Sequence, residues 1–163
     1  MNTQSGLEYS TDQDGQHTPS SNDNQTSMAL LKRLLYPRSI ALVGASERSP
    51  WSRLLHANIR RVGFEGQVFA INKTGAAAHG YPGYQSCRDL PGEVDAAYLL
   101  VPLDAVLDAF DDAIAAGIRS MVILTSGFAE SGAEGAQLQQ QLVNRAPPLA
   151  RCFWGQTAWA LPI

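Results

Sequence analysis

Apolar positions in this chain alternate between short unbroken runs and longer stretches where they recur every third or fourth residue. Ile40 to Val43, the run within Gln67 to Asn72, Ala96 to Val101 and Ser120 to Leu124 are unbroken. Runs of that length predict strands of a parallel sheet covered on both faces. Between them, Trp51, Leu54, Leu55, Ile59 and Val62 recur at helical spacing, as do Val106, Leu107, Phe110 and Ile114 with Asp111 and Asp112 on the solvent side, and later Leu138 and Leu142. The punctuation agrees. Ser49 and Pro50 suit an N-cap and first helical position, Gly63 a C-cap, Asp104 a second N-cap and Gly117 a second stop, while the last helix runs to about Arg145. Residues 76–95, interrupted by Gly80, Pro82, Gly83, Pro91 and Gly92, predict irregular structure. The order predicts right-handed βαβ units and an α/β, Rossmann-like, doubly wound parallel sheet in a single domain.

The flanks differ from this core. Residues 1–27 are rich in Ser, Thr, Asn, Gln, Asp and Gly with almost no large aliphatics, which predicts a disordered tail. A short helix is expected over residues 28–36, ended by Pro37. The domain is therefore expected over residues 28–146, followed by an atypical tail over 147–163 with neither helical nor strand periodicity. At 163 residues, 45% hydrophobic and a formal charge of −3, the chain suits one soluble, cytoplasmic domain. Mild acidity argues against a general nucleic-acid binder, and no apolar run is long enough for a bilayer. Cys87 and Cys152 lack metal-ligand spacing and are expected to be free thiols. His17, His56 and His79 are expected to be solvated rather than catalytic, and no catalytic residue is assigned.

In an open parallel sheet the ligand lies beyond the carboxyl ends of the strands, so four segments matter. Gly44 to Arg48 leads from strand into helix, where free backbone N–H groups and the positive end of the helix dipole would favour a phosphate. It lacks the full dinucleotide fingerprint, because Ser46 and Ser49 stand where later glycines would. At the second strand end, Asn72 and Lys73 replace the acid that would accept ribose hydroxyls, which favours a phosphate-bearing ribose. NADP and coenzyme A both carry one, and Lys73 could equally be a solvated loop lysine. Val101-Pro102 has no chemistry of its own. Thr125-Ser126-Gly127 offers hydroxyls and a close-approaching backbone.

Several stretches in order carry a resemblance: residues 35–46 (Leu-Tyr-Pro-Arg-Ser-Ile-Ala-Leu-Val-Gly-Ala-Ser), 63–72 (Gly-Phe-Glu-Gly-Gln-Val-Phe-Ala-Ile-Asn), Asp89-Leu90-Pro91 with Asp95, and 126–132 (Ser-Gly-Phe-Ala-Glu-Ser-Gly). Over residues 30–145 the chain resembles the CoA-binding domain of NDP-forming (ADP-forming) acyl-CoA synthetases, which is related to the succinyl-CoA synthetase α subunit. That resemblance implies coenzyme A as cofactor. It implies that Gly44, Ala45, Ser46 and Arg48 approach the CoA phosphates, and that Asn72 and Lys73 lie near the ribose 3′-phosphate. Val101 and Pro102 would flank the adenine or pantetheine arm, with Thr125, Ser126 and Gly127 near the pantetheine. The chain departs from the family by having Ser49-Pro50-Trp51-Ser52 where a glycine usually opens the first helix.

The resemblance stops where the family has a further strand with a Leu-Gly-Pro-Asn-Cys-Leu-Gly-like sequence, so this chain is expected to lack its last strand. Codons permitted for residues 154–163, read two bases later, can give Gly-Pro-Asn-Cys-Leu-Gly-Phe-Ala-Asn. The tail is therefore expected to be an out-of-frame reading that begins near Pro147. The phosphohistidine and nucleotide-grasp segments lie beyond this domain in the family. The leading expectation is a CoA-binding module of an ADP-forming acyl-CoA ligase, or of a related protein acetyltransferase, not catalytic alone and partnered by CoA or acyl-CoA and by a nucleotide-grasp ligase subunit. A free-standing CoA-sensing protein and an NADP-binding oxidoreductase domain are the competing readings.

Overall fold

The computed structural model describes residues 21–125, 127, 128 and 132–145. Five parallel strands form one sheet: β1 (Ser39–Val43), β2 (Gln67–Ile71), β3 (Gly83–Tyr84), β4 (Ala96–Leu99) and β5 (Ser120–Ile123), in the spatial order β3-β2-β1-β4-β5. Helices α1 (Ser21–Leu35), α2 (Pro50–Arg61), α3 (Val106–Ala115) and α4 (Ala133–Arg145) accompany it. The central strand β1 is buried along its whole length, which explains why Ser39 to Val43 reads as a continuous rather than an alternating run.

Alternation along β1 divides the core in two. Ala41 and Val43 join Phe69, Ile71, Ala97 and Leu99 beneath Val106, Phe110 and Ala113 of α3 and Leu142 of α4. Ile40 and Leu42 face the other way, with Val68, Ala70 and Ile59 of α2. Leu42 and Leu99 are wholly buried, so truncating either to alanine is expected to cost about 2–5 kcal/mol.

The amino edge of the sheet is tied by one carboxylate. Asp95 Oδ2 accepts the Arg38 N–H at 2.8 Å, Ser39 Oγ accepts the Asp95 N–H at 3.0 Å, and Arg33 and Arg38 approach the same carboxylate at 3.9 and 3.6 Å. These contacts join α1, the entry to β1 and the entry to β4 at the end opposite the strand termini that matter for a ligand.

Four local expectations are corrected by the structure. Helix α1 begins at Ser21 rather than at residue 28, so a helical segment reaches into the stretch expected to be tail. The helix meets β5 at Leu30, where Ser120 Oγ donates to the Leu30 carbonyl at 3.0 Å. The expected irregular stretch contains β3, because the Ala70 N–H donates to Pro82 O at 2.9 Å and the Asn72 N–H to Tyr84 O at 3.0 Å. Two residues are too few to show any period. Asp104 does not cap α3, since a 3-10 turn over Leu103–Ala105 follows Pro102 and moves the helix start to Val106. Asp112 is not simply solvated: it accepts from Ser86 Oγ at 2.6 Å and from the Cys87 N–H at 2.7 Å, which fixes the turn before β4 against α3. The expected loss of a last strand and the tail after Arg145 fall outside the described residues.

Candidate functional site

The register places the strand ends side by side. Val43 pairs with Ile71 on one flank and with Leu99 on the other, and Leu99 pairs with Ile123. The segments that follow β1, β2, β4 and β5 therefore share one sheet edge, as a ligand at a topological switch point requires.

Gly44 makes the close approach at this edge. Its φ is +88°, and a Cβ there would lie 2.8 Å from the Leu100 carbonyl oxygen and 3.0 Å from Val101 Cγ1. Only glycine meets both demands without strain. The Gly44 and Ala45 N–H groups, expected from sequence to be free, both donate to the Ile71 carbonyl, at 2.8 and 3.1 Å. Ser46 N–H donates to Ser52 Oγ at 3.1 Å, and Arg48 N–H to Ser46 Oγ at 3.2 Å. Among the described residues the N–H groups left without an acceptor in this turn are those of Glu47 and Trp51. The donors available to an anion thus lie further along the turn than Gly44, at the start of α2. Ser49 caps that helix by accepting the Ser52 N–H, and Pro50 occupies its first turn.

Asn72 is committed to backbone shape. Its Oδ1 accepts from Thr74 N–H, Thr74 Oγ1 and Ala76 N–H at 3.2, 2.7 and 3.2 Å, and its Nδ2 donates to Ala76 O at 2.8 Å. The turn so formed presents Lys73 to solvent, and among the described residues neither Lys73 nor Arg48 makes an ion pair. Both cations remain available to phosphate.

On the other side of Gly44, Thr125 Oγ1 donates to the Val101 carbonyl at 2.7 Å and so links the ends of β4 and β5. Val101 is half-buried and Pro102 exposed. Gly127, with φ +105°, packs its backbone against the Leu103 side chain. Ser126 lies outside the described residues. Ala45 is buried at 2% exposure and supports the turn from beneath.

Sequence reasoning treated His56 and His79 separately, but the structure brings them together. Their rings stack at 4.8 Å with an interplanar angle of 13°. His56 Nδ1 lies 2.9 Å from the Tyr81 hydroxyl, and His79 Nε2 lies 2.8 Å from Ser52 Oγ, the atom that also accepts Ser46 N–H. Burial pulls His56 below the usual histidine range; His79 and Arg60 add to this and Glu47 opposes it. Burial pushes the Tyr81 hydroxyl up, with Arg60 acting against it. Ser52, fully buried at the third position of α2, was the legible signal: a hydroxyl within a helix needs a partner, and His79 supplies one.

Cys87 is the free thiol among the described residues, and burial first, then the Asp112 carboxylate, pushes it up to about 12. It is no nucleophile. No group of three or more His, Cys, Asp or Glu that could hold a metal ion occurs among the described residues, and no helix there is long and apolar enough to cross a membrane.

A parallel sheet with two unpaired cations and free turn amides at its carboxyl edge defines a Rossmann-like binder of a phosphate-bearing cofactor. The particular family is shown by comparison: residues 38–150 match the CoA binding domain, and the chain belongs to that family. The cofactor of this family is coenzyme A, and the unpaired cations and amides described above fit its phosphates. The chain is 33% identical over 117 residues to acetate–CoA ligase [ADP-forming] I of Archaeoglobus fulgidus, covering 71% of this chain and 17% of that protein. It is 31% identical over 121 residues to the α subunit of acetate–CoA ligase [ADP-forming] I of Pyrococcus furiosus, covering 71% of this chain and 26% of the relative. Among solved structures, the dinucleotide-forming acetyl-coenzyme A synthetase 1 of Ca. Korarchaeum cryptofilum, in complex with phosphate and ADP, superposes with a TM-score of 0.65 at 40% identity, covering 71% of this chain and 25% of that one. The chain therefore spans about a quarter or less of these relatives, and it is similar to the part that carries their CoA-binding domain.

Proposed function

We propose that this chain is the CoA-binding module of an NDP-forming acyl-CoA ligase, corresponding to a truncated N-terminal part of such a protein or of a related protein acetyltransferase. The observation that carries this reading is the pair of unpaired cations, Arg48 and Lys73, on the turns after β1 and β2, beside the free amides of Glu47 and Trp51. Ser46, Arg48 and those amides hold the diphosphate over a turn shaped by Gly44 and Ala45. Lys73, on the turn shaped by Asn72, takes the ribose 3′-phosphate. Val101, Pro102, Thr125, Ser126 and Gly127 flank the adenine and pantetheine. In the intact ligase the reaction is acyl-CoA + ADP + phosphate to acid + CoA + ATP, reversible, and this module supplies cofactor binding to a nucleotide-grasp partner that performs the phosphoryl steps. The tail over residues 147–163 is a shifted reading frame, and resequencing the gene around Pro147 tests that point.

Titrating the purified chain with CoA, dephospho-CoA, NADP and NAD decides the cofactor. CoA binding that weakens on loss of the 3′-phosphate is expected; tight NADP binding without CoA binding overturns the reading. A free-standing CoA-sensing protein is the second reading. It is favoured by a solved Pyrococcus furiosus chain, described as a conserved hypothetical protein, of which this chain covers 86% at 27% identity and a TM-score of 0.52. That neighbour is little longer than the domain itself.

A further inference from the structure

The turn that would hold the diphosphate is joined to a second loop by one buried hydroxyl. Ser52 Oγ accepts the Ser46 N–H at 3.1 Å and meets His79 Nε2 at 2.8 Å. His79 reaches it because the chain doubles back there: Ala78 and Tyr81 exchange backbone hydrogen bonds at 3.3 and 2.9 Å around His79-Gly80, with φ values of +55° and +79°. A left-handed histidine is uncommon and is held here by its surroundings, its own N–H donating to Glu47 Oε1 at 3.1 Å. The His79 backbone is thus tied through its N–H to Glu47, between β1 and α2.

The ring is tied as well. It stacks on His56, whose Nδ1 meets the Tyr81 hydroxyl, so α2, the turn before it and the hairpin at residues 78–81 converge on two imidazoles. The charged and titratable groups facing this pair are Glu47 from the turn, Arg60 from α2 and Tyr81 from the hairpin.

The geometry points to His79 as a titratable positioning residue of the cofactor turn: an anionic diphosphate bound at residues 46–51 draws one proton onto the His56–His79 pair, through the Ser52 hydroxyl that both elements share. With the pair neutral, the Ser52 O–H donates to Nε2 while its oxygen accepts the Ser46 N–H. With a proton gained from solvent on His79, Nε2–H donates to Ser52 Oγ instead, the Ser52 O–H turns away from the ring, the Ser46 contact is retained, and a positive charge lies one residue contact from the turn. Stacked rings at 4.8 Å disfavour a second proton, so uptake stops at about one. Glu47 favours the charged form, and Arg60 opposes it on His56. One N–H bond forms with a proton released by the buffer, and otherwise only hydrogen bonds change.

This inference rests on the proposed cofactor role, and its test separates the two. Dephospho-CoA is the probe, because its diphosphate keeps its charge across the range in which a phosphate monoester titrates, near pH 6. Calorimetry on the full chain in two buffers of different ionisation enthalpy is expected to show uptake of up to one proton per dephospho-CoA bound. Affinity is expected to rise up to about tenfold from pH 8 to pH 5.5. His79→Gln, whose amide can still meet Ser52, is expected to retain binding at pH 8 and lose both the proton uptake and the pH dependence. In the unmodified protein, the ring resonances of His56 and His79 are expected to titrate at higher pH once the ligand is added, a measurement that needs no variant. Binding that is flat with pH, or a pH dependence unchanged in His79→Gln, overturns the inference and leaves CoA binding intact. Absence of CoA and dephospho-CoA binding at every pH overturns the cofactor role and this inference with it.

Discussion

Replacing Gly44 by alanine tests the geometry on which the whole edge depends. At φ +88° an L-residue incurs a backbone cost of about 1–3 kcal/mol. The added Cβ would also sit 2.8 Å from the Leu100 carbonyl oxygen and 3.0 Å from both Leu100 C and Val101 Cγ1. The Leu100 N–H is bonded to Val43 O at 2.7 Å, so relieving the clash by moving the Leu100 backbone means parting β4 from β1, and overpacking of this kind costs about 1–3 kcal/mol more. The two together come to about 2–6 kcal/mol, a large share of the 5–15 kcal/mol that stabilises an ordinary domain. Gly63 supplies the internal control: its φ is +65°, yet a Cβ there meets nothing within 4 Å, so Gly63→Ala carries the backbone cost alone. Urea midpoints compared at equal m-value read the difference. The surviving folded fraction of Gly44→Ala is also expected to bind CoA more weakly, because β4 must part from β1 where Val101 and the turn meet. Equal destabilisation in the two variants would refute the close-packing argument.

Lys73→Ala is expected to weaken CoA binding by about fivefold, roughly 1 kcal/mol for an exposed ammonium on a solvated phosphate, and to leave dephospho-CoA affinity unchanged by calorimetry. Equal losses for both ligands would place Lys73 elsewhere than the 3′-phosphate. Asp95→Ala leaves the Arg38 N–H without its acceptor and Arg33 and Arg38 without the carboxylate they face at the amino edge, and is expected to cost about 2 kcal/mol in a urea melt, with CoA affinity of the folded protein unaltered. Cys87, raised to about 12 by burial and Asp112, keeps its proton in the folded state while the unfolded thiol ionises from about pH 9. Its contribution to stability is therefore complete below pH 9 and falls by about 1.4 kcal/mol per pH unit as pH rises towards 12. Cys87→Ala is expected to flatten that alkaline slope in thermal melts, and alkylation of native Cys87 at pH 8 is expected to follow unfolding.

Much of the sheet could be read from the chain because its strands are buried on both faces and separated by well-punctuated helices. Ile40 to Val43, with Gly44 after it, needed no tertiary information, and neither did Ser49-Pro50 at the start of α2. Where the reading fell short, the deciding contact lay far away in sequence. Strand β3 exists because Pro82 and Tyr84 accept N–H groups from β2, and Gly83 fits there because a Cβ would overlap the backbone of Ala76 at 2.2 Å. Helix α1 meets β5 at Leu30, and Asp112 acquires its partners from the turn before β4.

The candidate site shows the same division between local and distant causes. Asn72-Lys73 in place of an acid beyond β2 leaves a phosphate-bearing ribose and a solvated loop lysine equally open, and the structure adds that the asparagine shapes the turn while the lysine makes no ion pair among the described residues. Which amides of the first turn are open does not follow from the chain, since Gly44 and Ala45 give theirs to Ile71 on the neighbouring strand. The stretch Ser49-Pro50-Trp51-Ser52, found where the family usually opens the first helix with a glycine, acquires its meaning from a distant contact. Ser52 is fully buried, accepts the Ser46 amide and meets His79 in the hairpin before β3. Ser52 thus ties the turn between β1 and α2 to the stacked His56 and His79, a link that no local pattern reveals because its two ends lie 27 residues apart in the chain.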